Sequence, residues 1–457
     1  MGTNRITCAS IVTLVAAYLG LFVGLVDANA VNLALPAIRA ELGGGIRGAQ
    51  WTIDAYNVVF AAMLLPSGSL GDRFGRRAVL RVGLMTFIAA SMSCAAAPSL
   101  PALFAARAVQ GAGAGLMLPQ GLAIAAHAFP DAVERARATA AWAIAAATST
   151  ALGPVLGGIL TDTVGWRYIF WVNAPVGVFA LLMTSRYLSE SRDPDSDGID
   201  LPGQTFAVLG LATVTLVLVE GRTMSVVLTS ALAVVAAVAV GLFVWTQRGA
   251  AKPMLPLGLL RSGQLAAALF ATFAMTFGTY GMLMVNSLAF QQQRGETALA
   301  TAAAFLPMPL TYLALIPVVN IVAHRAGPKL AMITGLWLMA AGMFGSAAAG
   351  PHADIGLLEV GFVLIGAGLA FNTGPAVGLA MSAMPPARAG LASGVVNLAR
   401  LVGITVGIAA LGTVMALRGV GTALVAGGVV ELVAAVVVLR WVAGRSESRG
   451  REEVCHA

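Results

Sequence analysis

Five ionisable side chains stand where such groups are costly. Asp27, Asp54, Arg107, Arg400 and Glu431 each lie inside a long apolar run. A charge within a lipid-spanning segment is expensive unless it is paired or faces water, so it marks an ion or substrate pathway by default. An acid and a base at the same depth neutralise one another, and protonating the acid releases the base. That is the chemistry of a proton-operated switch. Enzyme signatures do not accompany it: there is no Walker A run and no zinc-ligand spacing. Cys8, Cys94 and Cys455 are scattered. Neither a disulfide framework, a metal nor a cofactor is expected.

The elements that must position these residues are membrane spans. The chain is 58% hydrophobic and only 10% charged, where soluble proteins carry about 25% charged residues. A span needs about 20 apolar residues. The sequence divides into fourteen: 11–35, 49–70, 79–97, 100–126, 136–160, 167–188, 201–219, 224–246, 264–290, 298–323, 330–349, 355–381, 389–417 and 420–442. The fold expected is an all-α membrane protein. The first run lacks a small-residue cleavage site and reads as a retained span.

Charge orients the spans. With the N-terminus inside, nineteen Lys and Arg fall in or beside cytoplasmic loops and six in or beside outer ones. Arg107 and Arg400 lie within spans. Cytoplasmic loops of membrane proteins collect Lys and Arg. The bias therefore supports fourteen spans in the cytoplasmic membrane with both termini cytoplasmic. It also accounts for the net charge of +7 without nucleic acid as a partner.

Helix rise then sets depth. Asp27 lies about 12 Å, Arg107 about 10 Å and Asp54 about 8 Å below the outer surface. An Asp–Arg pair at that level makes both charges tolerable. Arg400 and Glu431 lie about 16 Å into spans 13 and 14. Arg400 is placed to meet an anionic substrate or a carboxylate. Glu431 reads equally as a protonated residue and as a coupling acid. Asn32, Gln110, Asn372 and Asn397 complete the candidates for a substrate cavity.

A weak internal repeat underlies the arrangement. At an offset of 252, Arg73, Gly75 and Arg77 fall on Arg325, Gly327 and Lys329. At 255, Gly111 and Gly113 fall on Gly366 and Gly368. Repeated halves are common in secondary transporters. Spans 1–6 (residues 1–188) and 9–14 (264–443) then form two six-helix, pseudo-symmetric halves. Residues 189–263 hold a polar linker and a two-helix insertion, and 444–457 form a cytoplasmic tail.

Four groups of residues carry a resemblance to the major facilitator superfamily, specifically its fourteen-span drug:proton antiporters. Residues 68–77 (Gly-Ser-Leu-Gly-Asp-Arg-Phe-Gly-Arg-Arg) match the loop motif between spans 2 and 3. The resemblance implies that Asp72, Arg73, Gly75 and Arg76 latch one access state. Residues 107–113 carry Arg107 and Gln110, and the family implicates this Arg in proton coupling. Residues 151–158 resemble the antiporter motif. There Gly153 and Gly157 allow close helix approach, and Pro154 kinks the span. Residues 25–36, 166–175 and 390–400 resemble fourteen-span exporters, although Asn29 and Ala30 replace the Thr-Ile pair usual in span 1.

The resemblance implies a monomeric, proton-coupled exporter of small organic compounds such as drugs or antibiotics. A nutrient symporter on the same fold and a non-transporting sensor are the competing readings, and residues 151–158 weigh against the former. The orientation has a direct check. In a chain with Cys8 and Cys455 replaced by Ser, an impermeant maleimide should label Val164→Cys in intact cells. It should label Arg192→Cys only in inverted vesicles, and the reverse pattern would invert the topology.

Overall fold

The computed structural model describes residues 8–129, 132–192, 200–221, 224–249, 258, 262–350, 354–383 and 389–442. The expected tail 444–457 and most of the polar linker lie outside the described residues. Sixteen α-helices, and no strand, are found among those described. They are α1 (Cys8–Leu42), α2 (Gly45–Phe74), α3 (Arg76–Ala95), α4 (Leu100–Ala128), α5 (Ala132–Thr163), α6 (Arg167–Trp171), α7 (Asn173–Tyr187) and α8 (Leu201–Glu220). After these come α9 (Val226–Gly249), α10 (Gly263–Gln293), α11 (Ala298–Phe305), α12 (Pro307–Ala326), α13 (Pro328–Ala349), α14 (Ile355–Ser382), α15 (Ala389–Arg418) and α16 (Val420–Trp441).

Prolines account for the departures from straight spans. The sixth expected span breaks between α6 and α7. Pro175 has no N–H to offer the carbonyl of Trp171, four residues before it. The tenth breaks between α11 and α12 at Pro307 for the same reason. In the second, Gly45–Leu64 and Pro66–Phe74 are bent by 51°. Two sharp turns depend on glycine. Gly75, at φ 101°, separates α2 from α3, and Gly327, at φ 90°, separates α12 from α13. A side chain is strained at such angles. These are the two glycines that the 252-residue offset superposes.

Eleven helices among the described residues are long and apolar enough to cross a membrane, or twelve if the bent pair is one span. The chain is therefore a multi-pass helical protein. Its described residues fall into two compact units: Met1–Val208 with Thr297–Ala302, and Leu209–Glu296 with Ala303–Ala457.

The same pairings recur inside each unit. In the first, α2 and α3 both pack on α4, and α1 packs on α5. In the second, α12 and α13 both pack on α14, and α10 packs on α15. Lipid gives no hydrophobic drive between helices, so association rests on close packing of small residues. A Cβ on Gly83 would sit 2.9 Å from the Gly113 carbonyl, and one on Gly335 would sit 2.7 Å from the Gly368 carbonyl. Gly111 abuts the Tyr56 backbone and Gly366 abuts that of Met308. Gly157 rests on Ala30, as Gly407 rests on Phe277. In the second unit α8 packs on α9 at Gly210, and the Thr413 hydroxyl of α15 donates to the Leu218 carbonyl of α8 at 2.7 Å.

Adding a methyl at one of these seams should be felt. Gly366→Ala drives a Cβ into the Met308 backbone, whereas Gly374→Ala on the same helix meets nothing within 4 Å. Overpacking costs about 1–3 kcal/mol. Thermal unfolding in detergent should show a loss of that order for Gly366→Ala and none for Gly374→Ala.

Candidate functional site

The first unit encloses a polar cluster built on α4. Gly111 lets this helix meet the backbone of α2, and Gly113 lets it meet α3. The shared face of α4 thereby carries Arg107 and Gln110 into the interior, where both are buried. Arg107 Nη1 donates to Asp27 Oδ2 of α1 at 2.5 Å and to Gln110 Oε1 at 2.7 Å. Its Nε donates to the Thr52 carbonyl of α2 at 3.1 Å. The guanidinium carbon lies 4.3 Å from the Tyr56 ring centroid, a cation–π contact.

The other Asp27 oxygen is held as firmly. Asn173 Nδ2 donates to Oδ1 at 2.6 Å and Gln110 Nε2 donates to it at 3.1 Å. Both amides also donate to Ser91 Oγ of α3, which donates in turn to the Phe170 carbonyl. Asp27 and Arg107 are each 1% exposed, so little water reaches the pair. Breaking a buried pair by removing one partner leaves an uncompensated charge, at about 3–5 kcal/mol. The full set of hydrogen bonds is what makes two sealed charges tolerable.

Sequence reasoning singled out Asp27, Arg107 and Gln110 but missed Thr52, Ser91 and Asn173. Asn173 had a signal, a polar amide in an apolar span, but its depth depends on the break between α6 and α7. Asp54 is not brought to Arg107. It is fully buried, and neither carboxylate oxygen has a hydrogen-bond partner among the described residues.

The glycines of α5 meet the same turn of α1. A Cβ on Gly153 would lie 2.5 Å from that of Asn29, and one on Gly157 would lie 2.8 Å from Ala30 Cα. Pro154 is buried between them. Asn29 and Asn32 turn back on α1, with their amides donating to the carbonyls of Leu25 and Ala28. Any displacement of α5 against α1 therefore acts on the turn that bears Asp27.

At the α2–α3 turn, Asp72 Oδ1 accepts from Arg76 Nε at 3.0 Å and from Nη2 at 2.8 Å. Arg76 also reaches the Ala123 carbonyl of α4 at 3.5 Å. Arg73 is exposed and lies over Phe74. A residue not singled out from the sequence completes the junction. Glu190, past the end of α7, accepts from the backbone amides of Arg77 and Ala78 at 3.0 and 3.1 Å. It thus caps α3, where the helix dipole favours an anion.

In the second unit Asn372 and Glu431 are fully buried, and their polar side-chain atoms lack hydrogen-bond partners among the described residues. Asn372 lies against Gly335 of α13. Glu431 of α16 and Met343 of α13 both lie against Gly278 of α10. Asn397 and Arg400 are part-buried on α15. No group of three or more His, Cys, Asp or Glu able to hold a metal occurs among the described residues.

A multi-pass helical chain with recurring glycine-packed pairings and a sealed ion pair has the build of a membrane transporter. The family model described as Major Facilitator Superfamily matches residues 17–407. The chain belongs to that superfamily, and so to transporters rather than enzymes. It is 35% identical over 408 residues to the multidrug resistance protein Stp of Mycobacterium tuberculosis, covering 89% of this chain and 76% of that one. It is 33% identical over 409 residues to the methylenomycin A resistance protein of Streptomyces coelicolor, covering 87% and 84%. A crystal structure of a D-xylose-proton symporter shares the fold, with a TM-score of 0.69, 14% identity and coverage of 95% and 98%.

The cluster makes a sharp stability prediction. Asp27→Asn leaves Arg107 without its counter-charge and should cost about 3–5 kcal/mol. Asp27→Leu combined with Arg107→Met should regain most of that loss, because no charge is then left buried at the site. Unfolding measured in detergent decides it. A double variant no more stable than the single one would mean that charge pairing is not what the site depends on.

Proposed function

We propose that this chain is a proton-driven antiporter that exports small organic compounds, such as drugs or antibiotics, across the cytoplasmic membrane by alternating access. The observation that carries the reading is the sealed Asp27–Arg107 pair, set on the turn of α1 against which Gly153 and Gly157 pack. The names of the relatives, multidrug and methylenomycin A resistance proteins, support the export of toxic compounds.

The proposed architecture is fourteen spans with both termini cytoplasmic, as two six-helix halves and the inserted pair α8–α9. The eleven apolar helices and the bent pair, with the 29-residue α4 and 32-residue α5, make up that number. Two further observations support the halves: the recurring glycine seams and the matching turns at Gly75 and Gly327. One chain then holds the whole path, and a monomer suffices.

In the proposed cycle a proton from outside binds Asp27. The acid no longer balances Arg107, which keeps Gln110, the Thr52 carbonyl and the Tyr56 face. The α1 turn repacks against α5, and the access state changes. Asp54 is the second proton acceptor in this scheme. Asp72, Arg73, Gly75 and Arg76 form the cytoplasmic latch, with the Asp72–Arg76 pair opening as α2 and α3 part. Asn32, Asn372, Asn397 and Arg400 are assigned to the substrate path. Glu431 is held in reserve as a buried acid of the second half, and Gln110 is a member of the proton site. The membrane potential supplies about 2.3 kcal/mol per proton per 100 mV, enough for export against a gradient of roughly fiftyfold.

The test is accumulation of a toxic compound by inverted vesicles from a host lacking its own exporters. Uptake should need an imposed proton gradient and collapse with a protonophore. Asp27→Asn should abolish gradient-dependent uptake while leaving passive counterflow measurable. Uptake in Asp27→Asn with an unchanged pH dependence would contradict the proposal.

A further inference from the structure

The chain carries two arginines within its spans, and they are treated differently. Arg107 is sealed, ion-paired and hydrogen-bonded. Arg400, on α15, forms no ion pair and no side-chain hydrogen bond among the described residues, and its Nε is buried without a partner. The residue as a whole is only part-buried. The Nε is closed off without a partner while the residue keeps some exposure.

Its position within a span makes an unpaired charge costly. Arg400 is eleven residues past Ala389, the first residue of α15, so its Cα is about 16 Å along the helix axis. The apolar span of α15 begins at Val395, so Arg400 lies inside the stretch that crosses the hydrocarbon core, about 30 Å thick. The described acids of the second unit are Glu220, Glu296, Asp354, Glu359 and Glu431, and none pairs with it. An uncompensated cation at this depth faces the bundle interior or a water-filled path.

Its surroundings suit a flat, apolar anion. Thr276 of α10 donates its hydroxyl to the Arg400 carbonyl at 2.9 Å, and Gly403 lies against the Phe273 backbone. Those contacts hold α10 and α15 together at this level. One turn beyond Thr276 on α10 stands Tyr280. It is part-buried and offers a hydroxyl as well as a ring. Along α10 the rings of Phe270 and Phe273 stack at 6.0 Å, and those of Phe273 and Phe277 lie 5.8 Å apart.

We propose that Arg400, with Tyr280, binds the anionic group of the exported compound, so that the substrates include aromatic carboxylic acids in their ionised form. This rests on the export reading and narrows its substrate class. The guanidinium presents a planar fork that matches a carboxylate, and Tyr280 adds a hydrogen bond and a stacking surface. The bound anion supplies the charge that Arg400 lacks, so acids are favoured over their neutral amides.

Two probes of equal size test it: 2-naphthoate and 2-naphthamide, titrated onto the purified full chain in detergent. Wild type should bind the acid more tightly than the amide. Arg400→Gln should weaken the acid by at least about tenfold, the worth of a charged hydrogen bond, and shift the amide by less than about twofold. Arg400→Lys should keep most of the acid affinity. Size-exclusion profiles matching wild type establish that both variants are folded. A wild type with no preference for the acid overturns the proposal. So does an Arg400→Gln variant that keeps the acid affinity or loses acid and amide alike, which would make Arg400 a structural charge. Binding in detergent needs no gradient, so failure of vesicle export would overturn the export reading and leave this result standing.

Discussion

The constraint on which the structure depends is the cost of a charge inside lipid. Asp27 and Arg107 are tolerable together because five helices and helix segments converge on them. The segments α1, α2, α3, α4 and α7 supply the acid, the Thr52 carbonyl, Ser91, Arg107 with Gln110, and Asn173. Remove one donor and a sealed group loses its partner. The pair thus ties the fold of the first unit to its proposed chemistry, since the arrangement that stabilises the bundle is also the one that the proposed protonation of Asp27 would disturb.

Close helix approach is what makes this convergence reachable. A side chain at Gly111 or Gly113 would hold α4 away from α2 and α3, and Arg107 would not reach Thr52. A side chain at Gly153 or Gly157 would lift α5 from the turn carrying Asp27. The second unit uses the same seams at Gly335, Gly366, Gly368 and Gly407 but lines them differently. There Asn372 and Glu431 lack side-chain hydrogen-bond partners among the described residues, and Arg400 is part-buried with its Nε unpartnered. The two units share a packing scheme and divide the chemistry, with proton handling proposed for the first and anion recognition for the second.

Much of this was legible in the sequence because the strongest signals are one-dimensional. A charge in an apolar run announces itself, and a fixed helix rise places Asp27 and Arg107 at one level. The 252-residue offset pointed to the Gly75 and Gly327 turns. What could not be read was azimuth. Helix rise puts Asp54 near Arg107 in depth, yet its carboxylate is not brought to the guanidinium. Ser91 is a small uncharged residue that nothing in the pattern marks, and Asn173, though a polar amide in an apolar span, takes its register from the break at Pro175. Glu190 was invisible because capping α3 from beyond α7 joins segments more than a hundred residues apart.

The most direct measurement is proton release from the purified chain when an exported compound binds. In weakly buffered detergent with a pH indicator, antiport at a shared switch requires that binding expel a proton from Asp27. Infrared difference spectra should show loss of a protonated-carboxyl band at the same moment. The account predicts release and a band in wild type and neither in Asp27→Asn. Undiminished proton release from Asp27→Asn would contradict it.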